Sequence, residues 1–460
     1  MTNENEFALN GFFYSFQRKL VHLEREDCML ERKSIDNNPI REQAKKLGIP
    51  TCDLLMKKMM ELSKVENIPR TLFAACPNSE SVIKAALRSA QRANAPIKFA
   101  ATLNQVDLDG GYTGMNQYEF VKLVKLEAEA IHYNGPIIIA IDHGGPWLKD
   151  IQSQENWPLK RCMDWIKKSF EAAIEAGYDL IHVDPTVDKT LPSGSVIPID
   201  LVITRTVELI EHAEVFRRRH QLPPISYEVG TEEVHGGLAN LSVFENFLKG
   251  LKAQLQNRGL SDVWPIFIVG KVGTDLHTTT FDPHIARKLV QIAEAYGSFI
   301  KGHYTDYVEN PVDYPLSGMG GANVGPEFTE EEYNSLFECE KIEIHLDKQG
   351  AIPKLSKLME SLEKAVYQSG RWKKWLLEEE NGADFFSLSP ERRAWLTKTG
   401  CRYIWSSPEV VKSRLGLYQN LIKNGYQAET MVLSAIEKSM DKYFHAFHLI
   451  DLNQKIQKVL

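Results

Sequence analysis

Eight short apolar runs recur between residues 71 and 325 and alternate with amphipathic segments. They are TLFAA (71–75), IKFAAT (97–102), IIIAID (137–142), LIHVD (180–184), ISYEV (225–229), IFIVG (266–270), SFIKG (298–302) and GANVG (321–325). A strand that is apolar along its whole length is buried on both faces. That requires a parallel sheet covered by helices on both sides. The helical patterns lie where such a sheet needs them, for example SESVIKAALRSAQRA (79–93), CMDWIKKSFEAAIEAG (162–177) and DPHIARKLVQIAEAYG (282–297). Eight strand–helix units over about 260 residues fit a closed (β/α)8 barrel better than an open sheet. No GxGxxG follows the first run, so the dinucleotide-binding alternative lacks its phosphate turn. The seventh unit is irregular, because Asn310, Pro311, Pro315, Gly318, Gly320 and Gly321 break any long helix there.

The expected fold class is therefore α/β, a TIM barrel over residues 68–340. A helical N-terminal extension (1–67) precedes it and a helical C-terminal subdomain (341–460) follows. Apolar residues stand at helical spacing in FFYSFQRKLVHLERED and CDLLMKKMMELSKV before the barrel. They do so again in KLSKLMESLEKAVYQ, RRAWLTKTG and VVKSRLGLYQNLI after it. With 43% hydrophobic and 25% charged residues, the composition excludes a disordered or low-complexity chain. A formal net charge of −7 argues against bulk nucleic-acid binding. No apolar run is long enough to span a bilayer, and the first residues lack a basic stretch followed by an apolar core. The six cysteines are scattered without a CxxC pair, which argues against a disulfide framework and fits a reducing cytoplasm.

In a (β/α)8 barrel, residues just after each strand face the active site. Here those positions carry Asn104, Gln105 and Asp107; Asp142 and His143; His182 and Asp184; Glu228, Glu232 and Glu233; Thr274, Asp275 and His277; and His303 and Asp306. Histidines His143, His277 and His303 from separate strand ends, with several carboxylates, form a metal-ligand set suited to Zn, Co, Mn or Fe. A metal at the barrel mouth can polarise a carbonyl and stabilise an enediolate. Asp142, beside His143, is placed to shuttle a proton to a substrate hydroxyl. His182 alternates within the fourth run and suits either the core or a supporting place behind the ligands. His132, His212 and His220 fall on helix patterns and have ordinary surface or packing roles. Walker, GxSxG, HExxH and kinase signatures are all absent.

At these loops the chain resembles the family of the so-called non-catalytic subunit of class II D-tagatose-1,6-bisphosphate aldolase, from galactitol and N-acetylgalactosamine catabolism. The match rests on NQVDLDGGYTGM (104–115), DHGGP (142–146), HVDPT (182–186), YEVGTEEVHGG (227–237), HYTDY (303–307) and NVGPEFT (323–329), with a weaker one at RYIW (402–405). The resemblance covers about residues 68–450. It implies a TIM barrel with His143, His277 and His303 as metal ligands and Asp142 as proton donor. Glu228 and Glu232 would share the roles of further ligand and second base. Asn104, Gln105, Asp184, Thr274, Asp275 and Asp306 would contact substrate. The implied cofactor is a divalent metal, Zn first and then Mn, Co or Ni. Class II aldolases carry HGxSG where this chain has HYTDY, a loop without the small residues that let backbone approach a phosphate.

The expected activity is metal-dependent aldol chemistry on a ketose or ketose phosphate. Either C4 epimerisation of the tagatose/fructose type or tagatose-bisphosphate cleavage follows from the same residues. The alternative is a non-catalytic subunit that stabilises a separate catalytic aldolase chain. Self-association into a homo-oligomer is expected of barrels of this class. A sugar-kinase role lacks a nucleotide-binding loop.

Overall fold

The computed structural model describes residues 38–192, 195–230, 238–274 and 279–460. The expected helix in FFYSFQRKLVHLERED lies outside them. The barrel is closed, with strands in the order β1 to β8 and every pair parallel. The strands are β1 (Leu72–Ala75), β2 (Ile97–Thr102), β3 (Ile137–Gly144), β4 (Leu180–Val183), β5 (Ser226–Gly230), β6 (Phe267–Val269), β7 (Phe299–Gly302) and β8 (Gly321–Val324). Each falls on one of the apolar runs. The irregular seventh unit holds only the one-turn helix Asp313–Leu316 between β7 and β8.

Local signals fix where the covering helices start and stop. Ser79 accepts from the backbone N–H of Val82 at the head of helix Glu80–Ala93. Asn116 and Glu119 form a reciprocal capping box ahead of helix Gln117–Ala130. Gly177 ends helix Leu159–Ala176 with φ +94°, a left-handed conformation that costs glycine nothing.

Before the barrel, helices Pro39–Leu47 and Thr51–Glu66 pack through Ile40, Leu55, Met56 and Met59 into the same core. After it, helix Pro326–Lys348 runs on from β8 through residue 340, so the expected domain boundary lies inside a helix. Helix Ala428–Ala446 packs along helix Glu80–Ala93, where Arg88 and Arg92 reach Glu437 at 2.5 and 2.7 Å. Phe73 of β1 stacks on Tyr443 and meets Phe328 and Phe444 edge-on, joining strand and terminal helices in one apolar cluster. The five described cysteines are free thiols. Among the described residues no helix is long and apolar enough to cross a membrane.

Candidate active site

Side chains alternate across a strand, so one set of positions on each strand points into the barrel. In β2, β3, β4, β5 and β7 that set includes Lys98, Asp142, His182, Glu228 and Lys301, all of them buried. Sequence reasoning passed over the two lysines. The signal was available, because a lysine in the middle of IKFAAT or SFIKG has no solvent to reach if the strand is covered on both faces.

The lysines are paired. Lys98 Nζ lies 3.2 Å from Glu228 Oε2. Lys301 Nζ contacts Glu228 Oε1 and lies 3.2 Å from Asp142 Oδ1. Burial by itself would push the Asp142 carboxyl up, but the Lys301 ammonium, with His143 and His303 beside it, holds it well below the usual carboxylate range. Glu228 is lowered in the same way, with Lys301 and Lys98 outweighing burial. Both acids are thus ionised at neutral pH. Asn323 of β8 donates to Asp142 Oδ2 at 3.1 Å and fixes its plane.

Three histidines surround these acids. His303 Nε2 stands 3.2 Å from Asp142 Oδ1 and 3.7 Å from Glu228 Oε1. His182 Nδ1 stands 3.3 and 3.4 Å from the same two oxygens. His143 turns Nδ1 to Asp184 Oδ2 at 2.6 Å, and its Nε2 lies 3.9 Å from Asp142. Burial, reinforced by the Lys301 charge, lowers His303 to about 3, leaving a neutral imidazole with a lone pair. His143 is shifted upward, as Asp142 and Asp184 outweigh its burial.

The backbone at this rim is strained to hold the site. His143 has φ +52° and Tyr304 has φ +54°, both in the left-handed region that a side chain disfavours. The glycine pair after His143 is a packing necessity. A Cβ on Gly145 would sit 1.7 Å from the carbonyl oxygen of Asp184.

Asp142, His182, Glu228 and His303 each offer a ligand atom, and these atoms all lie within 4.8 Å of one another. His143, His182 and Asp184 form a second such group. Among the described residues the buried Nε2 of His182 has no hydrogen-bond partner. Imidazole nitrogens with ionised carboxylates are the donor set of a borderline divalent metal, so the residues fit one.

Asp142, His143 and His303 form the floor of a cavity of about 270 Å³. Asn104, Gln105 and Asp306 line its side, with Asn78, Tyr112 and Tyr304. Gln105 is locked, accepting from Thr102 N and donating to Asn78. Asn104 bridges Leu148 O and Asp150 N. Asp184 and Thr274 do not line the cavity: Asp184 supports His143, and Thr274 Oγ1 donates to the carbonyl of His303 at 2.8 Å. Glu232, Glu233, Asp275 and His277 lie outside the described residues. Over the mouth, the C-terminal helical region contributes Arg371, Lys374, Arg402 and Tyr403. Of these, the sequence offered only Arg402 and Tyr403, within the weak RYIW match, and assigned neither a role at the site.

Residues 56–456 match the model of the D-tagatose-1,6-bisphosphate aldolase subunit GatZ/KbaZ-like family. The chain belongs to this family. Among solved structures, the GatZ/KbaZ-like chain is similar to a probable tagatose 6 phosphate kinase from Sinorhizobium meliloti. The TM-score is 0.66 at 22% identity, over 82% of this chain and 100% of that one. It is also similar to the fructose-bisphosphate aldolase of Campylobacter jejuni, with a TM-score of 0.51 at 12% identity, over 87% and 95% of the two chains. At these identities the likeness shows a shared barrel fold, and membership of the GatZ/KbaZ-like family ties the chain to tagatose-bisphosphate aldolase-related carbohydrate chemistry.

Proposed function

We propose that this chain is a divalent-metal-dependent enzyme that makes and breaks the C3–C4 bond of a ketose or ketose phosphate, with C4 epimerisation as its principal outcome. The observation that carries the reading is the meeting of His143, His182 and His303 with Asp142 and Glu228 under one cavity at the C-terminal ends of the strands. His143, His182, His303 and Glu228 would hold the metal, with His277 as a further ligand. Zn is the first candidate, and Mn, Co or Ni could replace it. When bound, the metal would act as a Lewis acid toward the ketose carbonyl.

The chain's own groups supply the proton chemistry. Asp142 is ionised, faces the cavity and is fixed by Asn323, so it can accept the proton of the C4 hydroxyl as the C3–C4 bond opens. It returns that proton when the bond re-forms. If the aldehyde fragment turns over before recombining, the product is the C4 epimer; if it leaves, the outcome is cleavage. Glu232 is proposed as the second base. Asn104, Gln105 and Asp306 present polar atoms to the sugar, while Asp184 keeps His143 in place.

The test uses the purified chain alone with fructose, tagatose and their phosphates, stripped of metal and then given Zn, Mn, Co or Ni, with products followed by NMR. Metal-restored interconversion, lost in Asp142→Asn by a factor of about 10² to 10⁴, supports the epimerase. Three-carbon products would make it an aldolase. The family description, an aldolase subunit, favours one second reading: a stabilising partner of a separate catalytic chain. That reading gains if the chain alone binds no metal and turns nothing over, yet raises the stability of such a partner.

A further inference from the structure

We infer that Arg402, carried over the barrel mouth by the C-terminal subdomain, is the residue that recognises the anionic end of the substrate. We further infer that Asp306 fills the place where the barrel itself would hold a second phosphate. The inference rests on the ketose reading above and adds the substrate class: a ketose with one phosphate monoester.

Arg402 is 7% exposed and lines the cavity above His143 and His303. Its guanidinium lies over the rings of Trp375 and Tyr403, at 4.7 and 5.0 Å from their centroids. Among the described residues it makes no ion pair, and its buried Nε has no hydrogen-bond partner. Every other deeply buried cation in this region is matched: Lys98 and Lys301 by Glu228 and Asp142, Lys149 by Asp107. Asp306 is near enough to act on its charge but makes no hydrogen bond or ion pair with it, and a buried guanidinium without a paired carboxylate is costly unless a ligand supplies the anion. Its planar fork of donors suits a phosphate. The neighbouring cations do not fill that need themselves, because Arg371 and Lys374 are both held by Asp150, at 3.1 and 2.9 Å. One buried Nη of Arg371 also lacks a partner and can join the same anion.

The second half comes from the β7–β8 corner. Barrels commonly bind phosphate there, at the loops after these strands and a helix N-terminus. In this chain Asp306 Oδ1 accepts the backbone N–H groups of Gly325 and Glu327, at 2.9 and 2.8 Å, at the head of helix Pro326–Lys348. A substrate phosphate arriving there would have to displace a carboxyl group already seated on its donors. One anion site is open and the other is occupied, so the pocket suits a single phosphate.

The test uses the intact protein, with inorganic phosphate as probe in equilibrium dialysis and with fructose 6-phosphate, free fructose and a ketouronate in turnover. Arg402→Gln is expected to weaken phosphate binding about 30-fold or more, the cost of removing one partner of a buried charge pair. It should raise KM for fructose 6-phosphate relative to that for fructose by a similar factor, with the larger change in KM than in kcat. Arg402→Lys, which keeps charge but not the fork, should fall between, and it decides the matter should Arg402→Gln not fold. Equal phosphate binding in wild type and variant, or a wild-type preference for the ketouronate over fructose 6-phosphate, would overturn the proposal. If no ketose turns over but phosphate binding still depends on Arg402, the anion site stands and the enzymatic reading falls. If turnover persists with an unchanged KM ratio, the reverse holds.

Discussion

Nδ1 of His143 and Oδ2 of Asp184 lie 2.6 Å apart, and this contact decides which nitrogen of His143 faces the cavity. Burial would raise the Asp184 carboxyl, but the hydrogen bond from His143 and that imidazole's charge outweigh it and hold the acid at about 2. An ionised Asp184 accepts the hydrogen bond from Nδ1–H, so Nε2 is the nitrogen left to bind a metal, once it has lost its own proton. Thr186 secures the other oxygen of Asp184 at 2.5 Å. The arrangement is that of a carboxylate orienting a metal-binding imidazole. Asp184→Asn should therefore lower metal affinity by about 10- to 100-fold while the fold persists. Metal content by mass spectrometry, beside circular dichroism, checks this. Unchanged metal affinity would remove His143 from the ligand set.

Lys301 makes a second prediction. Its ammonium bridges Asp142 and Glu228 at the barrel floor. Replacing it with the similarly sized methionine leaves two buried carboxylates facing one another, with only Lys98 on the far side of Glu228. Lys301→Met should cost about 3–5 kcal/mol of stability in chelator, the price of breaking a buried ion pair. A divalent cation should recover part of that loss, since it replaces the missing positive charge. Urea titrations with and without metal read both effects. A variant as stable as wild type in chelator would show that these acids do not depend on Lys301.

The glycine at position 145 carries a third. Its missing Cβ lets the β3 loop pass against the carbonyl of Asp184, and a methyl there would overlap backbone that no rotamer change can move. Gly145→Ala is expected to cost about 3 kcal/mol or more, at the upper end of overpacking, and to release His143 from Asp184. By contrast, nothing lies within 4 Å of a Cβ on Gly48, and Gly48→Asn should cost little, since asparagine tolerates the left-handed φ of +67° there. The pair of melting temperatures separates packing from backbone strain.

The barrel was legible because its strands are nearly all apolar, a pattern that leaves few alternatives. The meeting of Asp142, His143 and His303 at one cavity was legible because strand C-terminal ends gather at one end of such a barrel. Lys98 and Lys301 were overlooked because a lysine within a strand reads as an edge or a solvated position until closure of the barrel removes the solvent. Arg402, quoted only within the weak RYIW match, was given no place at the site for a different reason. It lies 78 residues beyond Val324, the last residue of the eighth strand, and no periodicity links it to the mouth. Only the folding-back of the C-terminal helical region, tied down where Ser406 donates to the carbonyl of Tyr112 at 2.6 Å, brings it there.

A final prediction concerns stability away from the site. Asp53, in helix Thr51–Glu66, packs against the start of β5 and accepts the hydroxyl of Ser226. Burial pushes its carboxyl up to about 6 from an ordinary 3.8, against the Ser226 hydrogen bond and the Lys57 charge, which act the other way. A carboxyl with a raised folded-state pKa binds its proton more tightly in the native chain than in the unfolded one. Its penalty is therefore absent below about pH 4, grows as pH rises toward 6, and is constant above that. Asp53→Asn keeps a group that can accept from Ser226 and removes the buried charge. It should stabilise the protein at pH 8 by about 1–2 kcal/mol, a figure below the full linkage value because Asp53 is only partly buried. The gain should shrink to nothing near pH 4. Urea denaturation of both proteins across that range tests it, and a stability difference that does not change with pH would mean that Asp53 stays charged in the fold.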